Sequence, residues 1–402
     1  MEQRQRHCRP RAWLGPWKIS FPFLLAVLVL TPAWSVAGGA KGCDQASSLV
    51  GQGQLPFLQD DLDYQWLQAA IDRSLHYLSR LPPEKRFSLC GMEHPVGRMI
   101  TSLQAFRRII DDHPSPEVLN KRISQGFSIC RATGSDTRGS MLVTGYFEPR
   151  SLASLTRTET FRFPLYRPPP DLKPMTGRGA TGGRLQDGKV VPYWTRAEIE
   201  QRNLLAGHEL VWLADPVEVF ILHVQGSGRV VLPDGTERRV QFAAKNGREY
   251  RSIGRLLVER GVMSLSEVTL PRIVDYLRSH PEEQQEILHH NESFVFFRWG
   301  DDSATSPQGC LAEPLTPGRS VALDQACFPA GALGFLISQK PVRNRGGEIT
   351  GWQPMARFVL NQDTGSAIQG PGRLDLFLGA GSEAETTAGV LKHPGSLYFL
   401  LQ

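Results

Sequence analysis

Beyond its first 42 residues the 402-residue chain has no excess of either charge. The formal net charge of +5 belongs to a leader in which Arg4, Arg6, Arg9, Arg11, Lys18 and Lys41 face one acid, Glu2. A neutral body removes the electrostatic argument for nucleic-acid binding. Long apolar runs are missing after the leader, so nothing further along reads as a membrane span. Metal-ligand spacing is missing too: the six cysteines form no CxxC pair, and His289-His290 reads as a solvated helix end. No metal or cofactor is therefore expected. Gly226-Ser227-Gly228 lacks the third glycine and the following helix of a dinucleotide fingerprint. Gln225 stands where a nucleophile elbow needs its first glycine.

What is present is ordinary globular composition, 41% hydrophobic and 21% charged, with 39 glycines and 29 prolines that favour turns and short strands. The length suits two domains. An apolar run from Ile19 to Leu30, then Ser35-Val36-Ala37, predicts a signal peptide over 1–37, cleaved after Ala37. An uncleaved anchor is the alternative. Lipidation at Cys43 is disfavoured by Ala40-Lys41-Gly42 before it. Membrane association is thus expected only if the leader stays or Cys43 is lipidated. Export implies an oxidising compartment. Five cysteines remain after the leader, and Cys310 with Cys327 is the expected pair.

Residues 38–60 read as a flexible lead-in and 61–140 as a helical segment. Trp66, Ala70, Ile71, Leu75 and Leu78 recur at helical spacing, as do Met99, Leu103, Phe106 and Ile110, then Val118, Ile123 and Phe127. Strand-like texture begins at Met141. Gly177 to Gly188 reads as a mobile surface loop. Residues 210–260 read as strands with tight turns, including Val219-Phe220-Ile221-Leu222 and a hairpin at Asp234-Gly235. Two helices are expected around Ile273–Leu277 and Gln284–Leu288. Short runs at 294–297, 321–323, 335–337, 358–360, 374–377 and 397–400 predict a small barrel or sandwich.

Two carboxylates stand twelve residues apart, Asp363 and Asp375, each at the edge of an apolar run. Burial and a nearby like charge both raise a carboxyl pKa, which suits a general acid. A plain turn with Asp363 capping backbone amides is the structural alternative. Asp363-Thr364-Gly365-Ser366 also matches the aspartic-protease tetrapeptide, but such a site needs two copies and the chain has one.

Thr144-Gly145-Tyr146-Phe147-Glu148-Pro149, Phe163-Pro164-Leu165-Tyr166 and Trp212-Leu213-Ala214-Asp215-Pro216-Val217-Glu218 are followed by Val224-Gln225-Gly226-Ser227-Gly228-Arg229 and Lys245-Asn246-Gly247. Tyr250-Arg251-Ser252-Ile253-Gly254, Pro314 to Ser320, and Gln362-Asp363-Thr364-Gly365 through Asp375 complete the series. Together and in this order, over about 140–402, they resemble the membrane-bound lytic murein transglycosylase A (MltA) family. Ser366 and Ala244 stand where that family more often has glycine.

The resemblance implies a mainly β fold: a double-psi β-barrel with a second, inserted β domain and an N-terminal helical segment. It implies an inserted domain over 141–300 and, over 301–402, a 3D domain whose aspartates match Asp324, Asp363 and Asp375. Asp375 is the implied catalytic carboxyl, with Asp363 and Asp324 supporting. Thr144, Tyr146, Gln225, Ser227, Gly228 and Arg229 are implied groove residues. The implied activity is cleavage of the β-1,4 bond between N-acetylmuramic acid and N-acetylglucosamine in peptidoglycan, leaving 1,6-anhydromuramyl ends. The implied partners are glycan strands, with other cell-wall enzymes as further candidates, in the periplasm or at the outer membrane. A non-catalytic, expansin-like wall binder and a hydrolase on the same barrel are the alternatives.

Overall fold

Six strands close on themselves to form a barrel. Met141–Glu148 pairs in parallel with Arg373–Ala380 and antiparallel with Lys392–Leu401. The ring then runs through Leu333–Arg343, Ile349–Asp363 and Ser320–Ala322 back to Arg373–Ala380. Two pairings are parallel, 320–322 with 349–363 and 373–380 with 141–148, and the rest are antiparallel. Closure leaves no edge inside the ring. The chain therefore has a double-psi β-barrel. Phe335, Phe358, Leu360, Leu374, Leu376 and Phe399 are buried in its core, each contributing roughly 1.5–3 kcal/mol of transfer free energy. The computed structural model describes residues 43, 45–51, 55–136, 139–175, 182–265, 267–304, 306–344, 348–365 and 367–402. The expected signal peptide over 1–37 and Ser366 lie outside these residues, as does part of the expected 177–188 loop.

Three helices, Leu67–Ser79, Val96–Asp111 and Pro116–Gly126, cover this core, the second with the apolar stripe predicted for it. The third packs through Leu119 and Ile123, with the predicted Val118 exposed and Phe127 just past the helix end. Trp66 is not in the first stripe. It precedes the helix in a left-handed conformation and is about half exposed. The same N-terminal stretch supplies strands Ser47–Leu49 and Ser128–Ala132, which extend the sheet outward from Lys392–Leu401.

The lead-in is more structured than its composition suggests. Asp60 is buried against Arg319, its two oxygens 2.6 and 2.8 Å from the guanidinium nitrogens. Cys43 bonds to Cys327, and Cys90 to Cys130. The expected Cys310–Cys327 bridge does not form, because Cys327 meets the incoming N-terminal strand region; Cys310 is a free thiol.

A second, six-stranded sheet has the order 295–299, 237–245, 227–231, 150–154, 209–213, 163–166. Its 227–231 and 237–245 strands form the expected Asp-Gly hairpin. The apolar run 219–222 is helical, not extended. Asp215 accepts the N–H of Val217 at 2.8 Å and Pro216 opens the helix Pro216–Gln225, so capping overrides β propensity. Ile253–Glu259 is likewise a helix, capped by Ser252. The 182–188 part of the expected loop belongs to a hairpin, Gly182–Gln186 with Lys189–Pro192, turned by Asp187-Gly188 at positive φ.

Candidate active site

Asp363 is the last residue of its strand and Asp375 the third of the next barrel strand but one. The short strand Ser320–Ala322 lies between them, with Ala322 opposite both aspartates. Asp375 also stands opposite Thr144 on its other side. Asp363, Ala322, Asp375 and Thr144 thus form one row across four strands, on one face. At about 4.8 Å per strand step the two aspartate backbones lie roughly 10 Å apart.

Each carboxylate has different partners. Asp363 Oδ2 accepts the Tyr146 hydroxyl at 2.8 Å and Oδ1 accepts the Cys310 N–H at 3.2 Å. Asp375 Oδ1 lies 3.4 Å from Arg373 Nη2, which also reaches Thr144 Oγ1 at 3.3 Å. Burial pushes Asp363 up to about 6, against the lowering effect of its hydrogen bonds from Tyr146, Thr364 and Cys310; the Asp375 charge adds to the rise. Burial also pushes Asp375 up to about 6, with Arg373 pulling the other way. Of the two causes expected from the sequence, burial and the Asp363 charge, burial is the one that raises Asp375. Burial and the Asp363 carboxylate hold the Tyr146 hydroxyl protonated, well above the usual phenol range. A half-buried acid with a raised pKa, on the same face as a second carboxylate held by donors, can deliver and recover a proton near neutral pH.

The surroundings fix this row. Gln362 is buried and donates to Ala70 O at 2.7 Å and Ser74 Oγ at 2.9 Å, tying the 67–79 helix to the residue before Asp363. Gly145 sits where a Cβ would come within 3.0 Å of Ala388 and 2.9 Å of Leu378, so helix Ser382–Val390 packs directly on the strand between Thr144 and Tyr146.

The structure thus brings Thr144, Tyr146, Asp363 and Asp375 together. Asp324 is separate in role. It accepts the N–H groups of Ala326 at 3.0 Å and Gly370 at 2.7 Å, pinning the loop that joins the two aspartate strands. Cys43, Asp324 and Cys327 form a cluster of metal-ligating atom types, but both sulfurs are engaged in the disulfide. Gln225 ends its helix and its side-chain oxygen accepts the Phe147 N–H at 3.4 Å. Ser227 begins the next strand opposite Gln241. Gly228 answers a packing demand, since a Cβ would meet Leu222 at 2.3 Å. Arg229 lies 3.5 Å from the buried Glu148, which also pairs with Arg239 at 2.7 Å.

Sequence reasoning did not single out Arg373, Cys310 or Tyr250 for this site. Arg373 had a readable signal: two positions before Asp375 on a strand, it shares that residue's face. Tyr250 is half-buried and close enough to feel the charges of both Arg373 and Asp375. Cys310 enters through its backbone N–H, which no side-chain pattern announces.

A closed six-stranded barrel with two aspartates on one face, separated by the short strand 320–322, defines a protein of the double-psi class with a candidate carboxyl site. Residues 142–298 match the MltA specific insert domain and residues 319–401 match the 3D domain. The chain is 33% identical over 277 residues to membrane-bound lytic murein transglycosylase A of Escherichia coli K12, covering 68% of this chain and 69% of that protein. The Vibrio cholerae protein of the same name is 33% identical over 279 residues, with coverage of 68% and 69%. Among solved structures, a membrane-bound lytic murein transglycosylase of Agrobacterium tumefaciens superposes with a TM-score of 0.71 at 29% identity, covering 89% and 97% of the two chains. Escherichia coli MltA with bound chitohexaose gives 0.67 at 28% identity, over 90% and 96%. With both halves of the architecture matched in order, the chain belongs to the membrane-bound lytic murein transglycosylase A family.

Proposed function

We propose that this protein is a peptidoglycan lytic transglycosylase in which Asp375 serves as both acid and base. It cleaves the β-1,4 bond between N-acetylmuramic acid and N-acetylglucosamine and leaves 1,6-anhydromuramyl ends. The observation that carries the role assignment is the row Asp363–Ala322–Asp375–Thr144, in which Asp363 is held by Tyr146 and Cys310 while Asp375, among the described residues, meets only Arg373.

Ordinary glycosidases need a second carboxylate to activate water or to attack covalently. Here the muramyl 6-hydroxyl is the nucleophile, already tethered to the reacting sugar and so at high effective concentration. Asp375 gives its proton to the glycosidic oxygen as the C1–O bond breaks. The resulting carboxylate takes the proton from the 6-hydroxyl as its oxygen bonds to C1. The proton count closes and no water is consumed. Asp363, fixed by Tyr146 and Cys310, holds charge near the site without taking part in the transfer.

Glycan strands are the substrate, held across Thr144 and Tyr146 with Gln225, Ser227, Gly228 and Arg229 shaping the insert side. The protein acts on the cell wall after export, and its two disulfides suit an oxidising compartment. With Cys43 engaged by Cys327, its sulfur is closed to a lipid thioether, which favours a soluble periplasmic product cleaved behind Ala37. Mass spectrometry of the products tests the reaction: anhydro ends are expected, and reducing ends would mean attack by water.

A further inference from the structure

We infer that the insert sheet carries a second binding site, built on Arg157 and Arg162, for the carboxylates of the peptide stems of peptidoglycan. This inference rests on the transglycosylase reading above and names a further part of its substrate.

A cavity of about 640 Å3 opens on the insert sheet, lined in part by Arg157, Arg162, Phe163, Trp212, Arg196 and Glu209. None of Asp363, Asp375, Thr144 or Tyr146 lines it. Two sequence runs unused by the aspartate row, those starting at Phe163 and at Trp212, are hydrogen-bonded neighbours here, with Trp212 opposite Pro164.

The charges around this cavity are unevenly committed. Arg196 is buried, with its donors on Asn291 O, Ser293 O and Glu200. Glu200 also meets His289, and Glu209 accepts the Gly207 N–H. Arg157 and Arg162 are exposed and form no ion pair among the described residues. Each instead lies over an aromatic ring, Arg157 at 6.0 Å from Trp212 and Arg162 at 5.6 Å from Phe163. Two uncommitted guanidiniums above aromatic faces match a carboxylate with aliphatic neighbours, because a guanidinium binds a carboxylate bidentately and the rings cover methylene groups.

The spacing fits the same ligand. Helix Pro216–Gln225 has its first residue in the cavity lining, and its last accepts the Phe147 N–H beside Tyr146. Nine residue steps at 1.5 Å make this about 14 Å. A stem of four residues, fully extended, reaches at most about 14 Å. The helix leading from the cavity to the Tyr146 strand thus has the length scale of one extended stem, and a stem carboxylate held at the arginine pair by a substrate whose glycan lies beside Tyr146 would gain from tethering.

The test compares wild type with Arg157→Ala/Arg162→Ala on intact peptidoglycan and on glycan strands stripped of peptide. The expected result is a KM about tenfold or more higher on intact peptidoglycan with kcat unchanged, and identical kinetics on stripped strands. An equal change on stripped strands, or none on either, overturns the proposal. Calorimetry with soluble N-acetylmuramyl tetrapeptide gives an arm independent of catalysis: wild type should bind it and the double variant should not. Binding of phosphatidylglycerol vesicles but not the muropeptide would assign the arginines to a lipid surface and also overturn it. Failure of both proteins to cleave any glycan would sink the transglycosylase reading, while the muropeptide arm would still decide the pocket.

Discussion

Arg373 and Asp375 stand two residues apart on one strand face, with Nη2 3.4 Å from Oδ1. The cation opposes the rise that burial imposes on Asp375. An acid that must begin protonated is therefore held within reach of ionisation by its own strand neighbour. Arg373→Gln removes that opposition. The alkaline limb of kcat/KM, expected near pH 6 in the native protein, should move up by roughly one unit. A pH–rate profile with an unmoved limb would show that Arg373 does not govern this proton.

Asp375→Asn keeps shape but has no proton to give. Turnover should fall by at least about 10³-fold, toward the upper end for a positioned acid or beyond it, because one group serves both half-reactions. Asp363→Asn keeps one acceptor oxygen for the Cys310 N–H and turns an amide NH2 toward the Tyr146 hydroxyl oxygen, which can accept it, so its loss should be smaller. Anhydromuropeptide release, measured for both variants, checks the order. A dead Asp363→Asn beside an active Asp375→Asn would reverse the assignment.

The barrel was legible because each of its six strands carries a short apolar run, and the aspartates were legible because they stand at the edge of or within such runs. The helices at 216–225 and 253–259 were not, since Val219-Phe220-Ile221-Leu222 has strand composition and only the caps Asp215 and Ser252 decide otherwise. Register was also hidden. That Ala322 places Asp363 and Asp375 in one row depends on a parallel pairing on one side and an antiparallel one on the other, with an irregularity at Val321/Ala322. The disulfides were misread because pairing follows space: Cys43 and Cys327 are 284 positions apart.

Stability should record the same raised carboxyl. Asp375 goes from an ordinary 3.8 to about 6 on folding. Between these values the folded protein holds a proton that the unfolded chain has released, so this residue's contribution becomes less favourable as pH rises, and above about 6 the full cost applies. Asp375→Asn removes the cost. The variant should be more stable than wild type by about 2–3 kcal/mol at pH 7.5, with the gain disappearing at pH 3.5. Denaturant melts at both values measure it; an equal difference at the two would sever the link to titration.

Arg319 and Asp60 make the opposite case, a carboxylate kept charged in the interior. Both side chains are almost fully buried. Burial pushes Asp60 up, but Arg319 and the N–H groups of Phe358 and Leu62 overcome it and hold the carboxyl below its usual value. The pair joins the lead-in to the barrel: Arg319 also donates to Gln65 O and Phe358 O, at 2.9 and 3.0 Å. Arg319→Met keeps much of the volume but leaves Asp60 charged and unpaired, which should cost about 3–5 kcal/mol near neutral pH. The deficit should shrink on acidification, because Asp60 without its cation protonates more readily and the neutral acid is cheaper to bury. Adding Asp60→Asn should recover part of the loss at pH 7.5 and little at pH 4. A double variant no more stable than Arg319→Met at pH 7.5 would mean that the bonds of Arg319 to Gln65 and Phe358, and not the ion pair, fasten the N-terminal segment to the barrel.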